Sequence, residues 1–170
     1  YSKAVANGMP LSVLAGKKKI IESLNQKAFF YTTFGGEALS LASAVSTINY
    51  IKRNDVCKKI QKKGLLLQKK LNEIIDKNNF KNLNIVGYGS RNILNINHEN
   101  PLLIKTFIHE QMLKKNILWN GIINLSYSHK KKDINKICNV FDEILKKINL
   151  IGVKKLNSKI EGTLIKKLLI

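Results

Sequence analysis

Apolar positions follow two different rhythms along the chain. Over residues 56–75, Val56, Ile60, Leu67, Leu71, Ile74 and Ile75 recur at helical spacing with lysines between them. This pattern predicts an amphipathic helix, ended by Asn78-Asn79. Residues 134–148 repeat it, and residues 102–115 form another helix behind Pro101, which suits a first helical turn. Residues 83–88 and 93–97 read as short strands on either side of Gly89-Ser90, and residues 122–127 as a third. Strand, strand, helix, strand, helix describes a small α/β domain.

The first third has a different texture. Residues 11–15 are apolar between Pro10 and Gly16, which predicts a short buried strand, and residues 17–24 predict one or two helical turns. The aromatic cluster Phe29, Phe30, Tyr31 and Phe34 then precedes Gly35-Gly36. Residues 38–50 are helical and rich in small side chains (Ala38, Ser40, Ala42, Ser43, Ala44, Ser46), so this helix can lie close to another backbone. Tyr1-Ser2-Lys3 runs directly into structured-looking sequence, without Met or a polar lead-in, as expected of a chain that begins inside a larger one.

Composition narrows the classes. A chain of 170 residues accommodates one domain, or one domain and a piece of another, and 44% apolar residues exclude compositional disorder. No apolar run approaches the length of a membrane span, and the first residues lack the pattern of a signal peptide. Cys57 and Cys138 are too few for a disulfide framework or a cysteine metal site, so a reducing, cytoplasmic setting is expected.

The formal charge of +19 points first to nucleic acid. Yet 28 of the 30 basic residues are Lys, leaving only Arg53 and Arg91 with the forked guanidinium that reads bases and clamps phosphates. Lys, Asn and Ile together make 71 of the 170 residues, a skew typical of AT-rich coding. Lysine-coated solvated faces are therefore expected rather than a sequence-specific nucleic-acid surface.

Several chemistries are excluded by spacing. His98, His109 and His129 are far apart, no second His follows His109 at zincin spacing, and no metal site is expected. There are no paired carboxylates, no Gly-x-Ser-x-Gly elbow and no Walker loop. His129 reads as a loop or capping residue, and both cysteines as packing.

Two segments remain. Ser2-Lys3-Ala4-Val5-Ala6-Asn7-Gly8-Met9-Pro10 places one lysine among small residues ahead of an Asn-Gly turn. Thr32-Thr33-Phe34-Gly35-Gly36 places hydroxyls before a glycine pair that opens a helix, a plausible anion-binding corner. In this order they resemble the class III pyridoxal-phosphate aminotransferases, in the branch of glutamate-1-semialdehyde aminomutase. Gly87-Tyr88-Gly89-Ser90-Arg91, Asn124-Leu125-Ser126-Tyr127-Ser128-His129 with Asp133-Ile134, and Glu161-Gly162 within residues 156–165 extend the resemblance along the chain.

The resemblance implies the C-terminal part of the fold-type-I transferase fold. Residues 1–38 would end the large cofactor domain, residues 39–78 would form a helical connector, and residues 79–170 a small α/β domain. It implies Lys3 as the catalytic amine that joins pyridoxal 5'-phosphate as a Schiff base, and Thr33 as a hydroxyl donor to the cofactor phosphate across a homodimer interface. The substrate would be a small amino or carbonyl compound.

The family's earlier half, with its main phosphate corner, ring-stacking aromatic and ring-nitrogen Asp, has no counterpart in these residues, so the chain alone is expected to be inactive. Lys130 to Lys132 replace a Thr cap and acidic residues, and three cations oppose the dipole of the helix they open. Arg91 reads as a surface or interdomain ion-pair residue before a substrate carboxylate ligand. Two alternatives from other classes stand beside the enzyme: a lysine-rich nucleic-acid-binding module, and a non-catalytic dimerisation remnant of such an enzyme.

Overall fold

The computed structural model describes residues 1–28, 33 and 35–162, without the side chains of Lys3, Asn25 and Gln26. It divides into two compact units, Tyr1–Val56 and Cys57–Ile170. The aromatic cluster at Phe29, Phe30, Tyr31 and Phe34 lies outside the described residues.

The first unit opens with a 3-10 helix, Lys3–Ala6, closed by Asn7 in the left-handed region at φ 48°. The expected strand at residues 11–15 is not formed. Its pairing reduces to one bridge between Ser2 and Ser12, with the Val13 N–H donating to Tyr1 O at 2.7 Å. Among the described residues no further strand continues the ladder, and Val13 and Leu14 are 40% and 69% exposed. Helix α1 (Lys18–Lys27) is longer than the one or two turns expected, and Lys18 pairs with Glu22 one turn on.

Helix α2 (Ala38–Arg53) begins where Glu37 folds back, its carboxylate accepting the N–H groups of Leu39 and Ser40 at 2.6 and 2.8 Å. The small residues of α2 allow the close approach that their size predicts. Ala44 is buried, and Ser43 Oγ donates to the Ala6 carbonyl at 2.7 Å, tying α2 to the 3-10 helix. Leu41, Val45 and Ile48, spaced for one helix face, remain exposed.

Helix α3 (Val56–Lys77) leads into the second unit. Strands β1 (Leu83–Tyr88) and β2 (Arg91–Ile96) form an antiparallel hairpin, and β3 (Ile122–Asn124) pairs antiparallel with β2 in the sheet order β1-β2-β3. Helices α4 (Pro101–Lys114) and α5 (Lys131–Ile151) and a 3-10 segment, Val153–Lys159, complete the mixed α/β arrangement. One core joins Leu67, Leu71 and Ile75 of α3, Leu83, Ile85 and Leu94 of the sheet, Phe107 and Ile108 of α4, and Phe141 and Leu145 of α5.

Two boundaries depart from expectation. Strand β3 stops at Asn124 rather than residue 127, because its partner β2 begins at Arg91 and offers only one further contact, the Ser90 carbonyl that accepts the Leu125 N–H. Helix α5 starts at Lys131, inside the lysine run. The Asp133 carboxylate accepts the Lys130 N–H at 2.7 Å, so a cap and a negative charge in the first turn offset the three cations.

A close backbone approach lies between α3 and the hairpin. A Cβ on Gly64 would fall 1.5 Å from Gly89 O, and a Cβ on Gly89 would fall 2.4 Å from Gln61 O. The fully buried Asn92 bridges this crossing, its amide donating to Gly64 O at 3.1 Å and Gly89 O at 3.3 Å.

Candidate functional site

Within the first unit, Lys3 begins the 3-10 helix directly after Ser2, whose bridge to Ser12 holds that end of the segment. The side chain of Lys3 lies outside the described residues. Ala6, four positions into the motif, is completely buried and accepts the Ser43 hydroxyl, so the backbone carrying Lys3 is anchored to α2. Thr33 is exposed in a turn ahead of Gly35 and Gly36, with Gly36 at φ 80°. That positive φ is one glycine adopts readily and other residues rarely do.

Two of the carboxylates of this unit have partners on their own helices. Glu22 pairs with Lys18, and Glu37 caps α2, its carboxyl held below the ordinary range by the Ser40 hydroxyl and the Ser40 and Leu39 N–H groups. Asp55 lies beyond the far end of α2. An amine and a hydroxyl suit covalent attachment of an aldehyde and one phosphate contact. Residues of these types suit the attachment and phosphate ends of pyridoxal phosphate, and among the described carboxylates of this unit Glu22 and Glu37 are already engaged.

In the second unit, Arg91 opens β2 opposite Tyr88 and Asn124, and is exposed. Among the described residues no ion pair involves it. His129 is a loop residue as its position suggests. Its Nδ1 accepts the Ser126 N–H at 3.0 Å and lies 2.8 Å from Ser126 Oγ, closing the turn that leads into α5. Cys138 is buried, which pushes its thiol pKa up, whereas Cys57 is exposed and not the packing residue expected. No group of His, Cys, Asp or Glu able to hold a metal occurs among the described residues.

Sequence reasoning missed two features. A cavity of about 310 Å³ opens between β3 and α5, lined by Ile117, Trp119, Ile123 and Ile137 with His129 and Asp133 among its polar groups. Its one sequence signal is the lone Trp119, which is buried. Lys105 of α4 is only 2% exposed, with its stem under Gly121, where a Cβ would meet Lys105 Cε at 2.8 Å. Burial lowers its pKa. Its place between Ile104 and Thr106 on an otherwise interior stretch was the available signal.

The mixed α/β architecture has close counterparts among solved transaminases. The FumI protein of Sphingopyxis sp. MTA144, solved in its pyridoxal-phosphate internal-aldimine form, superposes with a TM-score of 0.74 at 19% identity. That match covers 86% of this chain and 36% of the other. A transaminase with pyridoxal phosphate bound gives a TM-score of 0.76 at 14% identity, covering 88% and 38%.

The family model for class III aminotransferases matches residues 1–110, and the chain belongs to that family. The glutamate-1-semialdehyde 2,1-aminomutase of Methanobrevibacter smithii is 33% identical over 90 residues, 52% of this chain and 21% of that enzyme. The enzyme of the same name from Nitrosopumilus maritimus is 25% identical over 164 residues, 86% of this chain and 39% of its own. The alignments thus span from about a fifth to two fifths of these relatives' lengths.

Proposed function

We propose that these residues form the C-terminal part of a pyridoxal-phosphate enzyme of the aminotransferase and aminomutase type, acting on a small amino or carbonyl compound. The observation that carries this reading is the family match over residues 1–110, which includes both the Lys3 and the Thr33 motifs. Residues 1–38 belong to the end of the large domain, 39–78 to a helical connector and 79–170 to the small domain. The names of the aminomutase relatives favour transfer of an amino group within or between small carboxylic substrates.

Bound pyridoxal phosphate supplies an electrophilic carbon and a ring that takes up electrons during amino transfer. Lys3 would be the amine that holds it and would move a proton at the reacting carbon. Thr33 donates its hydroxyl to the phosphate. The exposed Leu41, Val45 and Ile48 of α2 support a larger assembly, such as the homodimer typical of the family, in which further protein covers that face. The engaged carboxylates of the first unit support a chain that does not turn over substrate alone.

Borohydride trapping with stoichiometric pyridoxal phosphate, followed by peptide mapping, tests the assignment. Lys3 is expected to be modified in excess of the other lysines, and Thr33→Ala to reduce that excess. Uniform modification of the 28 lysines would remove Lys3 from the site. Amino transfer by the chain alone, abolished in Lys3→Ala, would overturn the inactivity of the isolated chain.

A further inference from the structure

We infer that the second unit carries a sequence-blind binding face for the backbone of double-stranded nucleic acid, built from α3 and the start of α5. In the sequence these lysines are scattered, but the fold gathers them. Lys59 and Lys63, one turn apart on α3, place their ammonium groups 5.9 Å from the centroid of the Tyr127 ring. Lys63 Nζ also donates to Tyr127 O at 3.1 Å and to His129 O, fixing α3 to the loop before α5. Two turns further along α3, Lys70 Nζ reaches Asn135 Oδ1 at 3.4 Å. Lys131 and Lys132, both exposed, open α5 and lie in the chain between His129 and Asn135, two residues that α3 reaches.

Asp133 offsets one charge at the start of α5, and no carboxylate of α3 adds to it along this face. Helix α3 has no carboxylate before Glu73, which pairs with Lys69, and Asp133 is occupied with the Lys130 N–H. The N-terminal end of α5 adds its own positive potential.

The geometry selects the partner. Eleven residues of helix separate Lys59 from Lys70, a stripe of about 16 Å. A duplex presents roughly ten phosphate charges over that length, whereas a single phosphate engages one end of the stripe only. The ring of Tyr127 is flanked by two ammonium groups instead of being presented to an unpaired base, so the face suits a duplex backbone rather than a stacked single strand. Lysine point charges hold phosphates without reading bases, which agrees with the scarcity of arginine.

Fluorescence anisotropy with a labelled duplex of arbitrary sequence, titrated with the full chain over a range of salt, tests the face. Five phosphate contacts give a log–log salt slope of about −4.5. The triple variant Lys59→Gln, Lys131→Gln, Lys132→Gln is expected to flatten that slope by about 3 and to weaken binding at least ~10-fold near physiological salt. The exposed Lys81, Lys154 and Lys155 lie beyond the far ends of α3 and α5, and their triple Gln variant removes the same charge. It is expected to weaken binding less than about twofold.

The double variant Lys131→Gln, Lys132→Gln removes cations from a helix N-terminus and so leaves folding intact. It is expected to flatten the slope by about 2, and circular dichroism checks its helix content. Equal losses in the two triple variants would make the binding a property of total charge and overturn the face. So would the absence of saturable duplex binding, a slope unchanged in the double variant, or tighter binding to anionic-lipid vesicles than to duplex at the same salt.

Discussion

Replacing Gly64 by Ala sets two physical effects of opposite sign against each other. In the interior of α3, Ala is favoured over Gly by about 1 kcal/mol, so helix propensity alone predicts a more stable protein. The new methyl, however, would sit 1.5 Å from the Gly89 carbonyl oxygen, backbone against backbone, with no flexible side chain to give way. Relief requires the β1–β2 turn and the helix to separate by about 2 Å, a displacement in the costly range for overpacked interiors of ~1–3 kcal/mol or more.

The same separation stretches both hydrogen bonds of Asn92, a fully buried amide, and leaving such a group unsatisfied costs about 1–3 kcal/mol. Subtracting the helix gain leaves a net loss of about 3 kcal/mol. For a unit of this size that lowers Tm by roughly 12 °C or more. Leu65→Ala, one residue on and 47% exposed, serves as the control and is expected to cost less than about 1 kcal/mol. Thermal unfolding followed by circular dichroism reads both, and hydrogen exchange at residues 83–96 locates the damage in the hairpin. A Gly64→Ala protein as stable as the parent, or more so, would refute the account of the crossing.

Three further outcomes follow from the second unit. Asp142 accepts from Asn78 Nδ2 at 2.8 Å and Lys146 Nζ at 2.7 Å, and the Lys146 and Asn78 hydrogen bonds hold its pKa below 3.8. Its contribution, about 1.5 kcal/mol, is full once pH is about a unit above the unfolded value of 3.8 and is lost as pH falls through the lowered folded value. Asp142→Asn should therefore flatten the acid limb of the stability curve measured in urea.

At Lys105 the charged form is the disfavoured one. Burial depresses its pKa below 10.5, so the unfolded chain binds the extra proton and stability rises with pH through the window between the two values. Lys105→Met should stabilise the chain at neutral pH, with the gain shrinking as pH approaches 10.5. Urea titrations at several pH values measure the trend, and a gain that did not shrink would refute it. Glu110 Oε1 accepts the N–H groups of Glu161 and Gly162 at 2.9 and 2.7 Å, so Glu110→Ala should speed hydrogen exchange at those two amides while leaving the core of α4 protected.

The features legible in the sequence are those carried by period. The apolar stripe of α3, the hairpin around Gly89-Ser90 and the helix behind Pro101 follow from spacing, because each buries a face that a local repeat already marks. What spacing cannot show is whether a second backbone arrives. Residues 11–15 have the composition of a buried strand, but a strand needs a ladder on at least one side, and theirs ends after the Ser2–Ser12 bridge. Gly64 looks like a weak point in a helix until Gly89 is found against it, 25 residues away along the chain.

The site divides in the same way. Lys3 and Thr33 stand out only as ordered motifs, since one lysine among 28 carries no local signal, and the chemistry proposed for them needs groups beyond these two side chains. The basic face is the converse case. Lys59, Lys63, Lys70, Lys131 and Lys132 look like drift when read along the chain, and become one surface because Lys63 hydrogen-bonds the carbonyls ahead of α5 and Lys70 reaches its first turns. Charge counted over a sequence therefore says little about binding. The spacing of charges in the fold decides how many phosphates are neutralised at once, and the salt slope measures that number directly.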